Sequence, residues 1–452
     1  MNIDSIQQRL EDMEMEDNGV RYGYGSRKLL DLVFVQDATG SQGAYISSAT
    51  KNIEEIAATI FESGKLQYPE DLRVGLIAFR DHPPQDHTYV TRNFGFSSDI
   101  KKVHEHLKSL FASGGGDGPE AVTAALGEAL NMDWRPEASK MVVLIADAPP
   151  HGIGEYGDGF DHGSPDGLDP LQIAREMASR GITLFFVACE PALSGYTHAT
   201  DFYQALTGIT SGLMLPLTTA NLLSHAIIGS VLENLDMERI IQEVGQAVAH
   251  RILGGNESVD DVAKELHEKL LLRNESTQKL VVENIYRETP EAIHNVQVWA
   301  NAPTIKDARP QLQKVKGSRF TEKYLAARYA PSRVSYPSIT RSPIKSASPP
   351  RKVVSTFATF EAKPATHPMF GSAVSAPTFG SPMKSGRVGS SFGRMRGVGD
   401  SDDEDDDDGA KTGVAFDDDD GVQKIGLSSG AITFDQARRI ALQSAWRGTR
   451  HL

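Results

Sequence analysis

The sequence predicts an α/β protein with a doubly wound, mainly parallel six-stranded sheet and one antiparallel edge strand, followed by a helical extension and a disordered tail. Between residues 28 and 232, short continuous apolar runs alternate with helical patterns. Such runs are expected for parallel strands that are covered by helices on both faces. After about residue 330, large apolar residues give way to Ser, Pro, Gly and Arg, a composition typical of disorder.

The predicted elements follow the chain in order, and apolar periodicity indicates each one. Ligand sites in such sheets lie beyond the carboxyl ends of the strands, so candidate site residues are expected there. Buried strands are predicted at 29–35, 72–79, 140–147, 182–189 and 212–217, an alternating edge strand at 87–96, and helices at 45–61, 98–111, 119–131, 170–180 and from 218 onward.

Composition shifts divide the chain into five segments. The region after the sheet shows helical periodicity and no buried-strand run, and the basic part of the linker is followed by the acidic runs SDDEDDDD and FDDDD. These runs supply much of the net charge of −14. The predicted segments are an N-terminal helix and linker (1–27), the sheet domain (28–232), a helical extension (233–328), a disordered linker (329–430) and an amphipathic C-terminal helix (431–452).

Three groups of oxygen-bearing side chains fall where the predicted sheet would hold a ligand. The first follows a buried strand in D-A-T-G-S, the second opens a helix after a Gly-rich loop in SGGGDGPEA, and the third ends the strand VVLIAD. Carboxylates and hydroxyls are hard donors that suit Mg²⁺ or Mn²⁺. The candidate ligands are Asp37, Thr39, Ser41, Asp117, Glu120 and Asp147.

These motifs resemble the metal-ion-dependent adhesion site of von Willebrand factor type A (vWA) domains. Asp37, Thr39 and Ser41 match its D-x-S/T-x-S signature, and Asp147 matches the aspartate after the fourth strand. The resemblance covers residues 28–232 and implies the doubly wound vWA fold. RDHPPQD and DAPPHG further resemble vWA domains of fungal and amoebal proteins related to alpha-kinases, although no alpha-kinase domain is evident.

The Gly-rich loop departs from vWA domains that supply a threonine at this position. Its DGPEA sequence is similar to the acidic loop of integrin β subunits, in which Glu120 would be the ligand. Other vWA domains with a GGGD loop would favour Asp117. The sequence leaves both residues as candidates.

The resemblance implies binding rather than catalysis, because a partner's Asp or Glu would complete the coordination of the metal. A phosphatase would need a second aspartate where Thr39 lies, and Ala38 interrupts an aspartic-protease triplet. Two alternatives remain open: a scaffold with a structural or unoccupied metal site, and a regulatory component of a kinase or calmodulin pathway. The pentapeptide alone would also fit an ordinary helix cap.

The loop after the third buried strand, residues 151–170, carries five acidic residues and two histidines. We expect it to form a solvated rim that contacts the partner through His151, Asp158 and Asp161, because loops at such edges often carry function. We do not expect a second metal there. His82 and His87 are interpreted as turn and surface residues.

The C-terminal segment ALQSAWRGTR resembles an incomplete IQ motif. Leu442, Gln443, Arg447 and Gly448 match the first four key positions, which implies calmodulin or a light chain as a partner. A basic amphipathic helix is also a physically reasonable calmodulin target. The alternative is a terminal helix that packs on the protein's own surface.

Other features bear on partners and location. Three Ser-Pro sites in the linker, beginning at 342, 348 and 381, fit a proline-directed kinase. Aromatic residues are sparse among the linker's basic residues, so we do not expect nucleic-acid binding. The chain has no apolar stretch long enough for a membrane span, no secretory pattern at its start and one cysteine, Cys189. We therefore expect a cytoplasmic protein, with the nucleus not excluded.

Overall fold

A computed structural model describes residues 27–329, 413–417 and 423–451. Its main sheet has six strands: β1 (Leu30–Asp37), β2 (Leu72–Phe79), β3 (Thr91–Ser97), β4 (Ser139–Ala146), β5 (Ile182–Cys189) and β6 (Met214–Leu217). Their order in the sheet is β3-β2-β1-β4-β5-β6. All neighbouring strands are parallel except β2 and β3, which are antiparallel. The predicted fold class is confirmed.

Alternate side chains of β1 enter different cores, which explains its continuous apolar sequence. Leu32 and Phe34 lie in one core, beneath the helices α1 (Gly43–Glu62), α2 (Ile100–Lys108) and α6 (Leu223–Ala249). Val33 and Val35 lie in the other core, beneath α3 (Val122–Leu130), α4 (Pro170–Ser179) and α5 (Ala199–Ile209). The sheet is therefore covered on both faces.

The extension after the sheet domain contains a strand that the sequence analysis did not predict. In β7 (Ser276–Val282), Thr277 and Leu280 are buried while their neighbours are more exposed. This half-buried alternation produces no continuous apolar run, so the expectation of an all-helical 233–328 was wrong. The helices of the extension are α7 (Val259–Leu272), α8 (Pro290–Asn301), α9 (Ile305–Ala308) and α10 (Glu322–Arg328).

Part of the predicted disordered linker is also ordered. The strands β8 (Gly413–Asp417) and β9 (Lys424–Ala431) form an antiparallel sheet with β7, in the order β7-β9-β8. After β9, α11 (Phe434–Gly448) packs against α6 and α7 through Ile440 and Ala441. We call residues 423–448 the C-terminal strap, because they return to the sheet domain and the extension.

Some predictions fall on residues outside this description. They include the N-terminal helix, the basic part of the linker with its Ser-Pro sites, and the first acidic run. Among the described residues, none of the helices is long and apolar enough to cross a membrane.

Candidate metal centre

The candidate metal centre lies at the carboxyl ends of β1 and β4, which are adjacent in the sheet. Asp37 is the last residue of β1, and Asp147 follows the last residue of β4 directly. The topology therefore brings together two carboxylates that are 110 positions apart in the chain, as the positions 37 and 147 show. Asp37 is fully buried and Asp147 is nearly so.

The Gly-rich loop lies against the turn that follows β1. The amide of Ser113 donates to the carbonyl of Ala38 over 3.1 Å, and the amide of Gly40 donates to the carbonyl of Gly114 over 3.3 Å. The same loop then reaches the segment after β4, where the amide of Glu120 donates to the Pro149 carbonyl over 2.9 Å. Backbone hydrogen bonds thus hold all three predicted motifs at one edge of the sheet.

The D-A-T-G-S turn orients its side chains around Asp37. Oδ1 of Asp37 accepts from the Thr39 amide over 2.8 Å and from the Thr39 hydroxyl over 2.6 Å. The hydroxyl oxygens of Thr39 and Ser41 are 3.5 Å apart. Oδ2 of Asp37 is buried without a hydrogen-bond partner. Thr39 is buried but Ser41 is exposed, so the group opens to solvent on its Ser41 side.

The two acidic residues of the Gly-rich loop have different environments. A Cβ at Gly115 would lie 2.7 Å from Oε1 of Glu120 and 3.4 Å from Cβ of Thr39, so the Glu120 carboxylate and Thr39 flank this glycine. Oε2 of Glu120 is buried and has no hydrogen-bond partner within the described ranges. Asp117 instead contacts the 151–170 loop, because its Oδ2 accepts from the amide of Gly159.

The carboxylates at this edge are not neutralised by basic side chains. Burial and the nearby Asp147 raise the pKa of Asp37 to about 7. Burial and the surrounding carboxylates, Asp37 among them, raise the pKa of Glu120 to about 10. In the part of the chain that the structure describes, no lysine or arginine forms an ion pair with Asp37, Glu120 or Asp147. Buried acidic oxygens without partners fit a divalent cation with a preference for oxygen ligands.

Sequence reasoning missed the residue that braces these loops. The buried guanidinium of Arg80 donates to the carbonyl of Ala38 over 3.3 Å, to the carbonyl of Phe111 over 2.6 Å and to the hydroxyl of Thr88 over 2.7 Å. It therefore joins the D-A-T-G-S turn to the start of the Gly-rich loop. Its position directly after β2 is the one signal that could have indicated this role.

The predicted rim of the 151–170 loop requires correction. The side chains of His151 and Asp158 are each 1% exposed and lie 2.7 Å apart, so neither can contact a partner from its present position. Asp161 is exposed, but its carboxylate is paired with Arg309 over 2.7 Å. His82 is also buried, contrary to its interpretation as a surface residue. The side chains of His151 and Asp158 are buried as a hydrogen-bonded pair, and the His82 ring contacts the hydroxyl of Ser164 over 3.3 Å; the sequence pattern does not reveal such pairings.

The IQ-like residues belong to the helix of the C-terminal strap and are engaged within the chain. Gln443 is buried and Leu442 is half-buried. Arg447 donates to both oxygens of Glu238, over 2.8 and 2.6 Å. A Cβ at Gly448 would lie 2.9 Å from Cβ of Ala249, which shows how closely α11 approaches the end of α6. The structure thus shows the alternative arrangement, a terminal helix packed on its own protein.

A family model described as "von Willebrand factor type A domain" matches residues 31–213, from β1 to the residue before β6. Together with the strand order and the placement of the motifs, this match decides the identity of the sheet domain. Residues 31–213 form a vWA domain. The implied fold is therefore confirmed for this part of the chain.

Two curated proteins are similar to this vWA region. The chain is 29% identical over 203 residues to "Putative ariadne-like RING finger protein R811" of Acanthamoeba polyphaga mimivirus, covering 43% of this chain and 19% of that protein. It is 29% identical over 185 residues to "Alpha-protein kinase vwkA" of Dictyostelium discoideum, covering 40% and 28% respectively. The chain thus spans less than a third of the length of either relative.

Solved structures with a similar region include the pilus adhesin SpaC from Lactobacillus rhamnosus GG, at 14% identity and a TM-score of 0.35. That match covers 47% of this chain and 31% of the adhesin. A von Willebrand factor type A structure from Catenulispora acidiphila matches at 13% identity and a TM-score of 0.30, over 46% of this chain and 43% of that chain.

Proposed function

We propose that the vWA domain binds Mg²⁺ or Mn²⁺ and uses the ion to hold an acidic side chain of a protein partner, without catalysing a reaction. The proposed ligands are Asp37, Thr39, Ser41, Glu120 and Asp147. One observation carries the proposal: Oδ2 of Asp37 and Oε2 of Glu120 are both buried, and neither has a hydrogen-bond partner among the residues that the structure describes. A cation at this edge would supply the missing partner for both oxygens.

Glu120 is preferred to Asp117 as a ligand because of its neighbours. The Glu120 carboxylate lies across Gly115 from Thr39, whereas Asp117 is held by the amide of Gly159. Substitution of Glu120 should therefore weaken metal binding more than substitution of Asp117.

The exposure of the site supports a role in partner binding. Asp37, Thr39 and Glu120 are buried, while Ser41 is exposed. When bound, a cation supplies positive charge and open coordination positions, which a carboxylate from solvent can fill. The Thr39 hydroxyl donates its proton to Asp37, which leaves the lone pairs of its oxygen available to a cation.

The environment of the single cysteine bears on location. Cys189 is buried and forms no disulfide. A free thiol of this kind is common in reducing compartments, and we propose that the protein acts in the cytoplasm.

Calorimetry on the full chain, freed of metal by a chelator, tests the metal site. We expect saturable Mg²⁺ binding that is lost in Asp37→Ala and Asp147→Ala and retained in Asp133→Ala, whose 99% exposed carboxylate lies at the opposite edge of the sheet. The melting temperature of the wild type should rise with Mg²⁺, because a ligand that binds the folded state stabilises it. A folded wild type that shows neither heat nor stabilisation would contradict the proposal.

A second measurement separates partner binding from a structural metal. With Mn²⁺ bound, acetate serves as a minimal carboxylate ligand, and the relaxation rate of water protons reports water on the ion. We expect acetate to lower the relaxation enhancement by displacing Mn²⁺-bound water. If Mn²⁺ binds but acetate has no effect, the ion is structural and the proposed role in partner binding is wrong.

A further inference from the structure

A second cluster of potential ligands lies beside the proposed metal centre and shares no residue with it. Nε2 of His151 is 2.7 Å from Oδ1 of Asp81. One ligand atom from each of His151, Asp81 and Asp117 lies within 4.8 Å of the other two. The three residues come from three different segments: the turn after β2, the Gly-rich loop and the loop after β4.

The imidazole of His151 is held in a fixed orientation by Asp158. Nδ1 of His151 lies 2.7 Å from Oδ1 of Asp158, whose two oxygens also accept from the amides of Phe160 over 2.8 Å and Gly152 over 2.7 Å. Asp158 is thus a fixed acceptor for an Nδ1 proton, which directs Nε2 toward Asp81. A carboxylate behind the distal ring nitrogen commonly orients metal-binding histidines.

The negative charges of the carboxylates that face Nε2 of His151 are not fully neutralised by basic side chains among the described residues. Asp81 is fully buried. In the described part of the chain, Oδ2 of Asp81 and the buried Oδ1 of Asp117 have no hydrogen-bond partner. Within the described ranges, neither residue forms an ion pair with a lysine or arginine. Even a charged His151 would provide one positive charge to three carboxylates, those of Asp81, Asp117 and Asp158. Such an excess of negative charge around the buried His151 favours a bound cation.

We propose that Asp81, Asp117 and His151 form a second metal site that binds Zn²⁺, with Asp158 as a positioning residue. One imidazole and two carboxylates match the nitrogen and oxygen ligands of Zn²⁺, whereas Mg²⁺ prefers oxygen alone. Zinc–ligand bonds of about 2.0–2.2 Å require ligand atoms roughly 3–4 Å apart, so small side-chain movements from the present positions suffice.

The proposed ion would connect the 151–170 loop to the vWA sheet. His151 opens this loop, and the amide of Gly159, later in the loop, already donates to Asp117. Zinc at this position would therefore order the surface beside the Mg²⁺ site. The two sites would differ in metal preference, so each can be measured separately.

Zinc binding to the full chain tests this proposal, with excess Mg²⁺ present and a chromophoric zinc chelator as competitor. We expect one Zn²⁺ per chain for the wild type and loss of that ion in His151→Ala. His162→Ala is the matched control, because His162 is an exposed histidine of the same loop. Asp158→Ala should weaken zinc affinity by about 10–100-fold, as expected for loss of a residue that orients a ligand.

The absorption spectrum of bound Co²⁺ provides a readout on the unmodified protein. We expect visible d–d bands that shift or vanish in Asp117→Asn, a variant at a partly exposed position that remains informative if His151→Ala does not fold. Asp37→Ala should lose Mg²⁺ but keep Zn²⁺, which separates this proposal from the proposed function. A folded wild type without zinc binding, zinc binding unchanged in a folded His151→Ala, or zinc lost in Asp37→Ala would each overturn the second site.

Discussion

Buried charged side chains have different partners in two regions of this molecule. In the C-terminal strap, the buried Arg439 contacts Oε1 of the buried Glu233 over 2.5 Å, and Arg447 pairs with Glu238. At the proposed metal centre, Asp37 and Glu120 are also buried, but no basic side chain among the described residues pairs with them, and each has an oxygen without a hydrogen-bond partner there. In the strap, basic side chains of the chain itself thus pair with buried carboxylates, although Nη2 of Arg439 and Nε of Arg447 have no hydrogen-bond partner among the described residues. The comparison supports the proposal that the metal centre takes its positive charge from a cation in solution.

The largest expected effect is in the strap. Arg439→Ala would leave Glu233 buried without its charge partner, which typically costs about 3–5 kcal/mol of unfolding free energy. Arg438→Ala is the matched control, since Arg438 pairs with Asp260 on the surface, where both side chains are about half-exposed or more and such a pair contributes about 0–1 kcal/mol. Urea denaturation of the two full-length variants measures this difference.

Equal losses in the two variants would contradict this interpretation of the strap. Glu233 also accepts from the amide of Leu280 in β7 over 2.7 Å. The Arg439→Ala variant should therefore also accelerate hydrogen exchange in β7, which the Arg438→Ala variant should not.

The metal centre should make stability depend on pH in the opposite way to an ordinary paired carboxylate. In the metal-free protein, the pKa of Glu120 rises from 4.5 to about 10 and that of Asp37 from 3.8 to about 7, with burial as the main cause. The folded state then holds more protons than the unfolded state between these values, so stability falls as pH rises from about 4 toward 10. Each group contributes at most about 1.4 kcal/mol per pH unit.

Thermal unfolding between pH 5 and pH 9 in the presence of a chelator measures this slope. Glu120→Gln should flatten it, because the amide does not titrate. Saturating Mg²⁺ should also flatten it in the wild type, since a cation stabilises the deprotonated ligands. A metal-free wild type that loses no more stability than Glu120→Gln as pH rises would show that the pKa of Glu120 is not raised in the folded state.

The parts of the structure that could be predicted from sequence depend on local patterns. Buried strands are continuous apolar runs, and the D-A-T-G-S turn places its oxygens through the geometry of one strand end. The direction of the Gly-rich loop was not predictable, because it depends on Gly114 and Gly115 with φ values of 82° and 86° and on hydrogen bonds to distant segments. For the same reason, the sequence could not decide whether Asp117 or Glu120 is the metal ligand.

The missed features share a physical cause. His151 is buried in contact with Asp81, and this contact was not predictable because Asp81 lies 70 residues earlier in the chain. β7 is a strand because β9 pairs with it, and Thr277 contacts Gln436 across 159 residues over 3.0 Å. A polar or half-buried segment shows its structure only when its distant partner is known.

A glycine substitution should produce a smaller effect at the metal centre. Gly114 has a positive φ, and an added Cβ would lie 1.8 Å from Oδ2 of Asp86, so Gly114→Ala must displace the Gly-rich loop. Gly64→Ala is the control, because Gly64 has φ +70° with no atom near the Cβ position. The control should lose only about 1–2 kcal/mol from backbone strain, while Gly114→Ala should lose more and also bind Mg²⁺ more weakly. Calorimetry and thermal unfolding of both variants check this, and equal Mg²⁺ affinity would contradict the role of the loop.

The smallest effect that we predict is the binding of calmodulin to the folded full-length chain. A peptide of residues 431–452 retains the basic amphipathic pattern, and we expect it to bind calmodulin. In the folded chain, Gln443 is buried and Arg447 is paired with Glu238, so calmodulin would have to detach α11 from α6 and α7. We therefore expect no change in the fluorescence anisotropy of labelled calmodulin with the wild type and a detectable change with Arg439→Ala. Equal affinity of calmodulin for the peptide and for the wild-type chain would show that α11 detaches readily from α6 and α7. The pairing of buried charges would then not distinguish a fixed region of the protein from a region that binds a partner.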